Sequence, residues 1–192
     1  MGVIVEKVQA SYRDKLKEGF SFYNIFYFVL FSFVGWILET LRFLSKGRLV
    51  NRGFLSGPFC IIYGFCTLII KYINAKIKIK NKYLKAVVLW ISVIISCTIV
   101  EYFASYFIEL IFGIRLWNYA KFPLNLNGRI RLGMSITWGF CGLILIYVIK
   151  PFVDKIYDKF YDEKSLMRRI TYIILLIMII DFCSSCIHYL VK

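Results

Sequence analysis

Five long apolar runs, at residues 22–44, 54–73, 86–112, 132–149 and 170–191, alternate with polar or basic stretches along the chain. A helix of about 20 residues, rising 1.5 Å at each, crosses the hydrocarbon of a bilayer. The pattern therefore predicts an all-α fold: a polytopic transmembrane helical bundle of about five spans, residues 22–192 forming one transmembrane domain. Two amphipathic interfacial helices are expected beside it. Residues 1–21 read as a cytoplasmic segment that puts Val5, Val8, Tyr12 and Leu16 on one helical face among lysines and arginines. After Pro151, expected to end the fourth span, Phe152, Ile156 and Phe160 share a stripe with either Val153 or Tyr157, opposite Asp/Lys pairs.

The connectors carry their own signals. Gly57-Pro58 marks a helix start, since proline lacks the N–H that a first turn would leave unpaired, and Ser56 is placed to cap it. Arg52 stands just before this partially positive helix end, which is the signature of an anion site. The connector 113–131 mixes Trp117, Tyr119, Phe122, Leu124 and Leu126 with Asn118, Asn125 and Asn127. It is too apolar for a freely solvated loop and is expected to fold back on the bundle as a lid or re-entrant segment. IYGFCTLII at 62–70 is echoed by TWGFCGLIL at 137–145, each after a loop holding Asn, Gly and Arg. Residues 22–73 and 86–149 then read either as a duplicated hairpin in parallel orientation or as a chance likeness of apolar helices.

Composition agrees with the pattern. Of 192 residues 60% are hydrophobic and the mean hydropathy is +0.70, yet the net charge is +14. A soluble domain could not hide so much apolar surface. The basic residues are scattered between spans, so they report topology and anionic lipid, not nucleic acid. Inner connectors would hold sixteen Lys and Arg against eight in the outer ones if the N-terminus is cytoplasmic and the C-terminus outside. Residues 1–19 lack the apolar core of a cleavable signal, so the first span is expected to serve as its own. The six cysteines all fall in apolar runs and are expected to be small buried hydrophobes. Cys183 and Cys186 with His188 supply too few ligands for zinc, and neither metal nor cofactor is implied.

Chemistry is sought where charge meets membrane. Glu39 and Glu109 fall near the outer ends of their spans, whereas Glu101 and Asp181 lie roughly 15 Å in. An ionised carboxylate facing lipid at the centre costs about 2.5–3.5 kcal/mol on insertion scales, so these acids should point inward. Cys97, Glu101, Ser105 and Glu109 follow one another at four-residue steps, Asp181, Ser184, Ser185 and His188 form a second polar face, and Ser32, Gly35, Glu39 and Arg42 a third. Three such faces imply one shared cavity, acidic at its base and basic at its outer rim. The candidates for ligand binding or proton exchange are Glu39, Arg42, Arg52, Glu101, Glu109, Asn127, Arg129, Arg131, Asp181 and His188. The ligand expected is anionic or zwitterionic, with Glu101 or Asp181 exchanging a proton. The competing reading is that each acid pairs structurally with an arginine or a neighbouring helix.

The motifs GWILETLRF (35–43), NRGFLSGP (51–58) and LWNYAKFPLNLNGRIRL (116–132) occur in that order. Together, over roughly residues 22–138, the chain resembles the bacterial integral-membrane family called the putative ABC-transporter type IV permeases. The resemblance implies a transport component of the bacterial plasma membrane; an ABC role would require a separate cytoplasmic ATPase and a homo-oligomer. Membrane lipids are the other partners expected. Two alternatives stay open: a membrane-embedded enzyme acting on a lipid or other amphiphile, and a sensor or assembly subunit without turnover.

Overall fold

A computed structural model describes residues 22–45, 47, 53–159 and 164–191, with the side chains of 164 and 165 excepted. The expected N-terminal amphipathic segment, Arg52 and Phe160 lie outside the described residues. Helix α1 is Phe22–Leu44, α2 is Ile61–Lys76 and α3 is Lys82–Phe112. A two-stranded antiparallel hairpin follows, β1 Asn125–Leu126 and β2 Ile130–Arg131, pairing Asn125 with Arg131. Helix α4 is Leu132–Ile144, which passes through a π turn, Leu145–Ile149, into α5, Lys150–Lys159; the last helix, α6, is Lys164–Val191. Four stretches, Phe22–Leu44, Lys82–Phe112, Leu132–Lys159 and Leu166–Val191, are long and apolar enough to cross a membrane.

The second span differs from the expectation. Its helix starts at Ile61 and not at Pro58, the N-cap is Cys60, and no side chain caps it. Residues 53–60 instead run as non-helical backbone with Leu55 and Phe59 buried. Two neighbours satisfy backbone N–H groups there: the Ser32 carbonyl accepts from Cys60 N–H at 2.8 Å, and the Asp181 carboxylate accepts from Ser56 and Gly57 N–H at 3.1 and 2.8 Å. The anion at this turn is thus the chain's own Asp181.

Pro151 does not end the fourth span either. The turn ahead of it widens, with Lys150 N–H reaching back to the Leu145 carbonyl, and this gives the pyrrolidine ring room without breaking the helix. The continuation is not a free interfacial helix. Lys150, Val153 and Tyr157 are buried, while Phe152 and Ile156 point away from the bundle. The packing face is turned by about one residue from the expected stripe because a polar cluster draws it in. Asp154 accepts from Tyr23 and Tyr27 hydroxyls at 2.5 and 2.7 Å and from Lys150 Nζ at 2.5 Å. Beside it the Lys71 ammonium, 2% exposed, sits 3.5 and 3.9 Å from the Tyr27 and Tyr23 ring centroids and donates to Asn24 at 3.1 Å.

Small residues set the helix spacing. A Cβ on Gly35 would lie 2.3 Å from the Tyr63 ring, and one on Gly64 2.4 Å from Ser32 Oγ, so α1 and α2 touch almost backbone to backbone. Gly139 stands in the same relation to Trp90 and Ile94, where α4 meets α3, at 2.7 Å.

Candidate functional site

The end of the bundle that carries the 113–131 connector holds a cavity of about 530 Å³. Glu39 and Arg42 of α1, Tyr63 of α2, Glu101 of α3, Tyr119 of the long connector and Trp138 of α4 form its polar part. Glu39 accepts from the Tyr63 hydroxyl at 2.7 Å and stands 3.9 Å from the Arg42 guanidinium, one helical turn away. Glu101, only 4% exposed, accepts from Trp138 Nε1 and from the Tyr119 hydroxyl, each at 3.1 Å. Among the described residues no cation comes within ion-pair distance of Glu101, although Arg131 and Glu39 are within its electrostatic reach.

The two carboxylates are held in the same way. Each sits on the first helix of a hairpin and accepts from an aromatic residue of the second, Tyr63 in IYGFC and Trp138 in TWGFC. The next residue in each motif, Gly64 or Gly139, provides the close helix contact. The Tyr63 and Trp138 rings meet, centroids 5.0 Å apart, so the two arrangements join inside one cavity.

The connector 113–131 closes over this site. Gly113 takes positive φ and ends α3, and the hairpin turns at Asn127-Gly128, both in the left-handed region. Trp117 Nε1 donates to the Arg129 carbonyl at 2.8 Å and Asn127 donates to the Tyr102 hydroxyl at 3.3 Å. Glu109 fastens the connector through Arg115 at 2.7 Å and Arg129 at 2.6 Å. Arg131 lies over the Phe122 ring, 4.3 Å from its centroid. Burial, and then the neighbouring Glu101 charge, push the Tyr119 phenol above its ordinary range, so it remains a donor to that carboxylate.

Of the residues singled out from the sequence, Glu39, Arg42 and Glu101 line the cavity. Glu109, Asn127 and Arg129 hold the connector in place, and Arg131 stands behind Tyr119. Asp181 belongs to the 53–60 stretch instead, and His188 lies exposed on a shallow outer groove of α6 with Cys183. Tyr63, Tyr119 and Trp138 were missed as site residues, although the echo of Tyr63-Gly64-Phe65-Cys66 in Trp138-Gly139-Phe140-Cys141 was visible. Among the described residues no group of three or more His, Cys, Asp or Glu could hold a metal ion.

A family model described as Putative ABC-transporter type IV matches residues 26–186. The chain belongs to this family. The match reaches all six helices and takes in every described residue that lines the cavity, together with Lys71 and Asp154. Together with the four apolar helices, membership makes this a membrane protein connected with transport. No curated protein and no solved structure matches it significantly.

Proposed function

We propose that this chain is the permease, or membrane-embedded transport component, of a larger system, and that its outer cavity is the ligand site. The observation that carries the reading is the convergence of Glu39 and Glu101, from two helices, in one cavity with a single arginine among its described lining residues. Withdrawing Glu101 and most of Glu39 from water costs several kcal/mol unless something offsets it. Hydrogen bonds from Tyr63, Tyr119 and Trp138 meet part of that cost, and a positively charged ligand group would meet the rest. The site therefore suits a zwitterion better than a simple anion, Arg42 taking its negative group and Glu101 its positive one. The matched Glu39–Tyr63 and Glu101–Trp138 pairs support a duplicated hairpin as the origin of the site. The N-terminus lies in the bacterial cytoplasm and the C-terminus outside, in keeping with the distribution of Lys and Arg. An ATPase would be a separate cytoplasmic subunit, and a second copy of the chain would complete the pathway.

Charge-selective thiol labelling tests this reading. Met134 lines the cavity, and Lys78 lies in the connector read as cytoplasmic. A membrane-impermeant cationic methanethiosulfonate should modify Met134→Cys from outside and Lys78→Cys only from inside. At Met134→Cys it should outpace its anionic counterpart several-fold, a preference that shrinks in Glu101→Gln. Labelling of Met134→Cys only from the cytoplasm, or faster reaction of the anionic reagent, would overturn the proposal.

A further inference from the structure

The lining of the cavity falls into two chemically distinct groups, each internally connected. Glu39, Tyr63, Trp138, Glu101 and Tyr119 form one chain of hydrogen bonds and ring contact. Phe54, Phe112 and Phe182 form the other, with ring centroids 4.9 and 5.5 Å from Phe54. Phe65, Phe107 and Ile111 extend this apolar side and are 50 to 55% exposed. Phe107 and Ile111 lie on α3 and Phe182 on α6, both long enough to cross the membrane. An open apolar wall on such helices gives water no hydrogen bonds, whereas hydrocarbon loses nothing by covering it.

We propose that the cavity takes an outer-leaflet amphiphile with an ammonium head group, entering from the bilayer side. This rests on the reading of the cavity as a ligand site and names the class of ligand. The ammonium lies between Glu101 and Glu39, against the Tyr63, Tyr119 and Trp138 rings, which attract a cation through their faces. The phosphate of a zwitterionic head turns to Arg42. The acyl chain leaves along Phe107, Ile111 and Phe182. Two carboxylates against the one guanidinium among the described lining residues select an ammonium lipid over an anionic one.

Binding to the full-length protein in maltoside micelles, followed by tryptophan fluorescence, tests this. The probes are lysophosphatidylethanolamine, lysophosphatidylglycerol and soluble phosphoethanolamine. The ethanolamine amphiphile should bind about tenfold more tightly than the glycerol one, the worth of a charge-assisted hydrogen bond. Glu101→Gln, or Glu39→Gln should the first variant fail to fold, should erase most of that preference. Ala104→Phe, which narrows the cavity, should weaken both amphiphiles. Equal or tighter binding of the glycerol amphiphile overturns the proposal, as does indifference to Ala104→Phe. Phosphoethanolamine binding as tightly as its amphiphile, and failing in Glu101→Gln, rejects the lipid and leaves the polar site standing. Failure of all three probes rejects both.

Discussion

Tyr119 shows how one side chain can join a connector to a buried acid. Its hydroxyl donates to Glu101, and its pKa is higher in the folded chain than in the unfolded one, where it stays near 10. A raised pKa favours folding while the phenol is protonated, and that contribution is lost as pH rises from the unfolded value through the folded one. Tyr119 should therefore leave the melting temperature unaffected between pH 6 and 9. Above about pH 10 the wild type should lose stability that Tyr119→Phe does not lose. A parallel loss in both proteins, followed by thermal unfolding in micelles, would remove Tyr119 from the account. At this scale the sequence was partly legible. Glu39 and Glu101 could be found because charge inside an apolar run is costly and conspicuous, whereas their donors are aromatic residues, and an apolar run gives an aromatic residue no reason to stand out.

Among the elements, the stretch 53–60 departs most from expectation. Ser56, Gly57 and Pro58 carry a helix-start pattern, but that pattern measures only local propensity, worth about 1 kcal/mol for a cap. Asp181, more than a hundred residues further on, accepts two backbone N–H groups there and outweighs it. Asp181→Ala removes the carboxylate that accepts from both N–H groups and should destabilise the protein by about 2 kcal/mol. Hydrogen exchange should locate the loosening at residues 53–60, and a loss spread evenly over α6 would contradict this. Pro151 teaches the same lesson, since a π turn lets the helix run on. The long spans were readable because hydropathy over twenty residues is a strong signal. The Lys71–Asp154 cluster was not, because Lys71 reads as the start of a basic connector and Asp154 as part of the charged face of an interfacial helix until α1, α2 and α5 bring them together.

For the whole molecule, the central claim is that two hairpins of like design each supply a carboxylate and its aromatic donor to one cavity. Membership of the type IV family gives the membrane setting and the link to transport, and the paired geometry supports the site proposed there. The most direct test is proximity across the two hairpins. In Tyr63→Cys with Trp138→Cys, where the native rings lie 5.0 Å apart, a short bifunctional methanethiosulfonate should join α2 to α4. Protease cleavage between the hairpins should then leave a single band on a non-reducing gel. Tyr63→Cys paired with His188→Cys, on the exposed groove of α6, should give two. Two separate fragments from the Tyr63/Trp138 pair in a folded protein would mean that the hairpins do not meet at these residues, and the shared site would fall with them.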